Sequence, residues 1–199
     1  MYLLLSILVS FGVAAIEFVS VEPRLEVLIP YGIFVPAALC IPRGLYLAST
    51  RLRSVVSREW GERIEALLFA IIVFNAPASL WWHRAGFQYD RFLHFIVALC
   101  ATFIAALVFA ACYRLLREKR ASKTLILTTT AFAMVSTLFV WEGFQWSVDT
   151  LFATHIFGDA IQKAAVDVGE DILFGAFGVF VASVLLAISY KRYVGEKLR

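Results

Sequence analysis

Three short stretches of the chain carry side chains that could do chemistry together. The first is Asp90-Arg91-Phe92-Leu93-His94. Asp90 and His94 are four apart, which puts them on one face of a helix. The second is Glu142-Gly143-Phe144-Gln145. Glu142, Gln145 and Asp149 follow an i, i+3, i+7 stripe, with Trp146 beside them. The third is Asp167-Val168-Gly169-Glu170-Asp171, where Asp167 and Asp171 again share a helical face. Brought together, Asp90, His94, Glu142, Asp167 and Asp171 make four carboxylates and one imidazole. So much negative charge needs a divalent cation, or protons shared between carboxylates. Helical bundles that project carboxylates and histidines inward are known metal sites. Mixed oxygen and nitrogen ligation suits Zn, Mn, Fe or Mg without choosing among them. Such a metal could activate a water for hydrolysis.

Each group also has a plainer reading. Asp90 could cap a helix and pair with Arg91. His94 could be a satisfied core histidine, and Glu142 a bridge between helices. Asp149, Asp159 and Glu170 read mainly as solvated loop charges, and His83 and His155 as interfacial. Glu17 is a candidate extra member of the cluster. Asn75, deeper in its segment, reads as a helix–helix hydrogen bond.

The elements that must position these residues follow from composition. Of 199 residues, 61% are hydrophobic and only 17% charged, with a mean hydropathy of +0.82 and 18 Phe. A soluble domain is near half apolar and a quarter charged. That argues against a soluble enzyme, a disordered chain and a secreted disulfide scaffold. Cys40, Cys100 and Cys112 are an odd set in apolar stretches and read as small buried side chains. The first 20 residues lack a basic leader and read as a retained membrane helix rather than a signal peptide.

Six apolar segments approach the roughly 20 residues a membrane helix needs. They are Tyr2–Val21, Val27–Leu47, Ile64–Trp82, Phe92–Leu115, Thr124–Trp146 and Asp171–Tyr190. The second contains Pro30, Pro36 and Pro42, and the third Pro77. The alternating ten-residue strands of a barrel are absent. The expected fold is thus all-α, a polytopic bundle of about six helices forming a single domain over 1–199.

Fourteen of the 18 basic residues fall between spans two and three, between four and five, and after six, counting Arg43 and Arg114 near the ends of spans two and four. The positive-inside rule then puts both termini in the cytoplasm. It also puts all three acidic groups at the outer level, although they were not used to assign the topology. Trp81, Trp82, Trp141 and Trp146 fall near that level as expected of interfacial anchors. The long outer connection Ser147–Gly169 reads as an amphipathic interfacial helix or a re-entrant lid.

The order of these motifs resembles two related membrane families, the VanZ-like and the YjdF-like proteins. Their pattern is an Asp-x-x-x-His opening one helix, a Glu-x-x-Gln or Glu-x-x-Glu closing another, and an Asp followed seven residues later by Gly in the last. Here these are Asp90 and His94, Glu142 and Gln145, and Asp171 and Gly178, spread over about 88–182. Asp167, four before Asp171, looks like the YjdF-like version. Gln145 stands where that version has its second Glu, and Gly175 where VanZ-like proteins often have Asn. The resemblance implies an envelope membrane and supplies no substrate.

The functional expectation is a metal-dependent hydrolase or transferase acting on a lipid or lipid-linked envelope molecule. It would be a multi-pass protein of the inner (cytoplasmic) membrane. Glu142, Asp90, His94 and Asp171 are the candidate catalytic residues. Asp90, His94, Glu142, Asp167 and Asp171 are the candidate ligands of a divalent metal. The expected partners are membrane lipids and not nucleic acid. Two alternatives stand beside it: a structural or interaction protein whose polar cluster joins helices, and a proton or cation transporter. The scarcity of polar residues below the cluster weighs against the last.

Overall fold

The structure is a computed structural model that describes residues 1–20, 23–80, 89–152 and 164–195. Among these the chain is helical, with no strand. Where the solvent is lipid, amides and carbonyls must bond within their own segment, and a helix does this. The helices are α1 (Tyr2–Phe18), α2 (Leu25–Ile29), α3 (Val35–Ala48), α4 (Thr50–Val55), α5 (Arg58–Leu80), α6 (Tyr89–Arg117), α7 (Lys123–Phe152) and α8 (Ala164–Tyr193).

Between α2 and α3 the helix widens into a π turn, Pro30–Phe34, whose end is closed by the Val35 amide reaching the Pro30 carbonyl. Pro30 and Pro36 lack amides, and an α-helical ladder cannot pass both undisturbed. The helix therefore continues by widening rather than stopping. Hydroxyls serve at two helix starts. Ser49 Oγ accepts from the Leu52 amide and Ser122 Oγ from the Leu125 amide, both at 3.1 Å.

Among the described residues, four of the six expected spans are long and apolar enough to cross a membrane: Val27–Ala48, Tyr89–Arg117, Lys123–Leu151 and Val166–Tyr193. The other two correspond to α1 and α5. At 17 residues, α1 is apolar but about 26 Å long, short of a roughly 30 Å hydrocarbon core. Helix α5 starts earlier than expected and carries Arg58, Glu59, Glu62, Arg63 and Glu65 in its first turns. Its apolar part runs from Ala66 to Leu80, where the described residues stop.

Helix α8 packs most extensively against α6 and also lies on α7, while α1 packs on α5 and α5 on α6. Two glycines set the α8 contacts. A Cβ at Gly178 would run into the Phe95 carbonyl and meet the Ala98 Cβ of α6. A Cβ at Gly175 would meet the Leu138 side chain of α7 at 2.8 Å. Small residues are what let helix backbones approach this closely. The main apolar core gathers Val56, Trp60, Ile64, Leu107, Ile126 and Leu186. Trp60 Nε1 donates to the Leu107 carbonyl at 3.1 Å, tying α5 to α6. A smaller core of Val13, Val27, Tyr31 and Ala76 joins α1, α2, the π turn and α5.

The bundle has two chemically distinct ends. Arg114 and Arg117 close α6, Lys123 opens α7, and Lys191 and Arg192 close α8. Arg63 of α5 stacks on the Tyr193 ring at the same end, 4.8 Å from its centroid. At the opposite end are the first turns of α6 and α8 and the last part of α7. Of the cysteines only Cys100 is buried; Cys40 and Cys112 are exposed on helix surfaces. That corrects the expectation that all three are internal: in lipid, a small apolar thiol can face outward at little cost.

Candidate metal centre

The acidic end is where three helices deliver the expected residues. Asp90 and Asp167 sit in the first turns of α6 and α8, where a carboxylate meets free amides and the positive end of the helix dipole. His94 and Asp171 each lie one turn further in. Glu142 comes from α7, well inside the helix, where neither cap nor dipole accounts for it. The start of α6 is pinned by Tyr89, whose hydroxyl donates to the Phe74 carbonyl of α5 at 2.8 Å. Gly175 and Gly178 hold α8 close to α7 and α6 one and two turns beyond Asp171.

His94 is the centre of the group. Its Nε2 lies 3.8 Å from Asp90 Oδ1 and 3.6 Å from Asp171 Oδ2. Its Nδ1 lies 3.5 Å from Glu142 Oε1. Ligand atoms of Asp90, His94 and Asp171 all fall within 4.8 Å of one another. Asp167 lies close enough to interact electrostatically with His94, Glu142 and Asp171. Glu142 is only 2% exposed and Asp171 5%. Within the described residues Glu142 Oε1 is buried and accepts no hydrogen bond. A carboxylate oxygen in that condition is costly unless a charge or donor is supplied.

The separations are long for hydrogen bonds, which cluster at about 2.7–3.2 Å. The two His94 Nε2 separations, 3.6 and 3.8 Å, lie a few tenths of an ångström beyond the roughly 3.3 Å between two ligands on one cation with tetrahedral bonds of about 2.0–2.1 Å, so an ion would draw the three groups inward. The donor set of one imidazole and two carboxylates is one that Zn, Mn or Fe accepts.

Around this group the structure assigns partners that local sequence does not reveal. Arg91 does not pair with its neighbour Asp90: it turns to Glu170 of α8. Glu170, expected as a solvated loop charge, is thus a helix-to-helix tie in the first turns of α8. Glu17 is likewise engaged elsewhere. Its carboxylate takes the Arg24 guanidinium in two bonds of 2.7 Å and the Arg24 amide at 2.9 Å. Asn75 Nδ2 donates to the Ile71 carbonyl of its own helix at 2.8 Å. Ser147–Phe152 continues α7 and Ala164–Gly169 begins α8, so the expected connecting element shrinks to what lies between. That remainder, with His155 and Asp159, lies outside the described residues, as do His83, Trp81 and Trp82. Trp141 and Trp146 are about half exposed, as interfacial anchors would be.

A helical chain with several apolar spans is what a membrane protein requires. The family model described as "Predicted membrane protein (DUF2238)" matches residues 1–192. The chain belongs to this family. No curated protein and no solved structure matches it. As a DUF2238 protein it is a membrane protein, and lipids are its surroundings. Its Asp/His/Asp group is the feature of this DUF2238 chain that most resembles a working site.

Proposed function

We propose that the acidic end is a divalent-metal site of a membrane enzyme. Asp90, His94 through Nε2, and Asp171 would be its ligands. Glu142 would hold the other ring nitrogen, Nδ1–H, and so fix the imidazole, as second carboxylates commonly do at metal-bound histidines. Asp167 adds charge that favours a cation. The observation that carries this reading is the division of labour around His94: two carboxylates at one nitrogen, and a buried, hydrogen-bond-free carboxylate oxygen at the other. Three protein ligands leave a position for water, which a bound metal would make nucleophilic. The reaction class is then hydrolysis or group transfer.

The substrate class follows from the surroundings. Phe92, Trp141, Phe144 and Trp146 are exposed apolar and aromatic side chains on the helices that bear the cluster. A lipid or lipid-linked envelope molecule is the substrate whose reactive group could reach this level with its chains in the bilayer. The basic residues at the opposite end support a cytoplasmic location for that end and an outward-facing site in the inner membrane; six passes would have the bilayer thin by a few ångströms around α1. The resemblance to VanZ-like and YjdF-like proteins supports the same envelope setting.

A second reading rests on the same distances. A protonated His94 shared by Asp90, Asp171 and Glu142 would join α6, α7 and α8 as an ionic knot with no metal at all. Proton or cation transport is weaker: beyond the cluster α8 continues with Val179, Ala182 and Leu186, all buried and apolar. Metal analysis of the purified chain separates the first two. The enzyme reading expects about one Zn, Mn or Fe per chain, lost in Asp90→Asn and Asp171→Asn variants that stay folded. Wild-type protein free of metal after growth with each of these metals, and variants that melt early, would leave the ionic knot.

A further inference from the structure

At the opposite end of the molecule, α3, α5 and α6 leave a lateral apolar groove of about 530 Å³. Ile41, Leu45, Leu68, Val108 and Leu115 line it, with Trp60 at its floor. Leu115 also lines a second cavity of about 280 Å³, so the two adjoin. This second cavity holds Arg51, Ser54, Arg114 and Glu118.

The charges there differ from those of a neighbouring cavity of similar size. In that neighbour Arg43 is taken by Glu65 in two bonds of 2.8 and 2.7 Å, and Arg58 by Glu62 at 3.0 Å. Arg51 and Arg114 have no carboxylate partner among the described residues. Arg51 Nη2 donates to the Leu115 carbonyl at 3.1 Å, and Arg114 Nη1 to the Glu118 carbonyl at 2.7 Å. Each guanidinium has five N–H donors. The two carbonyl bonds therefore hold the arginines in place and leave donors and both charges unspent. The Glu118 carboxylate makes no ion pair with either.

We infer that this composite site binds an anionic phospholipid, with an acyl chain in the groove between α3, α5 and α6 and the phosphate on Arg51 and Arg114. Charge complementarity selects the occupant. The cavity sets two guanidinium charges against the one carboxylate of Glu118, and the remaining positive charge is neutralised by an anionic head group but not by a zwitterionic one. A free phosphate would leave the groove unused. Basic pockets beside membrane helices hold lipid head groups in this manner. The site lies at the other end of the molecule from the acidic cluster and does not depend on its reading.

The test uses the full chain in uncharged detergent and native mass spectrometry. The probes are phosphatidylglycerol, phosphatidylcholine with the same acyl chains, and inorganic phosphate. Phosphatidylglycerol should remain bound where phosphatidylcholine does not. Arg51→Gln and Arg114→Gln should each weaken it roughly fivefold. Val108→Trp, which fills the groove from an exposed position, should weaken it while both arginines remain. Melting in lipid-free detergent should match the wild type in all three variants, since Arg51 and Val108 are exposed and Arg114 is half-exposed. Equal retention of the two lipids overturns the inference. So does unchanged binding in the double arginine variant, or full displacement by millimolar phosphate.

Discussion

His94 presents two nitrogens to two different environments, and that asymmetry is the main functional content at the scale of single residues. The Nε2 side faces Asp90 and Asp171, and the Nδ1 side faces Glu142. Removing a ligand and removing an orienting group should therefore have different consequences. His94→Ala should abolish stoichiometric metal. Glu142→Gln keeps a hydrogen-bond acceptor but loses the charge, and should weaken metal affinity by about 10–100-fold without abolishing it. Competition against a chelator of known affinity reads the difference. Equal loss in both variants would place Glu142 among the ligands instead. Sequence spacing brought out Asp90 with His94 and Asp167 with Asp171, because i, i+4 pairs follow from helix geometry alone. It could not show which nitrogen meets which acid, since that depends on where α7 and α8 stand relative to α6.

Two helix contacts carry the weight at the scale of elements. Gly175 and Gly178 are one turn apart on α8, yet their neighbours differ in kind. A side chain at Gly178 would meet the backbone of α6, which cannot move aside without shifting the helix. A side chain at Gly175 would meet the flexible end of Leu138. Gly178→Val should therefore destabilise the bundle by about 1–3 kcal/mol or more, the cost of overpacking a close contact. Gly175→Ala should cost clearly less. Thermal melts in detergent rank the two, and the prediction fails if Gly175→Ala is the worse. The Arg43–Glu65 pair is a second test. The Glu65 carboxylate side chain is 4% exposed, so Arg43→Met leaves a buried acid without its cation. A loss of about 3–5 kcal/mol is expected. Further replacement of Glu65 by Gln should restore most of it. The pairing of residues 43 and 65 was invisible in the sequence, because it joins the end of one helix to the start of another across a short intervening helix.

For the molecule as a whole, the separation of charge is the governing feature. Basic residues end α6 and α8 and open α7, and the acidic cluster occupies the reverse end. Helix dipoles favour this arrangement in α6 and α8, where acids sit at the N-terminal turn and bases at the C-terminal turn. They oppose it in α7, which runs the other way. The pattern common to all three helices therefore needs a cause beyond the dipole, and membrane orientation is such a cause. Single cysteines in a Cys-free background test it. A cysteine at Leu116 should react with a membrane-impermeant maleimide only after the membrane is opened, and one at Thr150 in intact cells. The reverse pattern would invert the proposed topology and move the site to the cytoplasmic side.

The sequence by itself determined the lipid-embedded helical class, the two charged ends and the candidate site residues. These follow from composition and from helical periodicity, both local properties. The number of helices able to span was less legible. The end of α1 and the early charged start of α5 depend on where backbone hydrogen bonding stops and starts, not on apolar content alone. Only the tertiary structure decided that Arg91 turns to Glu170 and that Glu17 is held by Arg24. It also decided that His94 stands between three carboxylates from three helices. Those contacts are set by helix crossings, and the crossings by a few close approaches such as Gly178 against Phe95. No spacing along the chain encodes such distances.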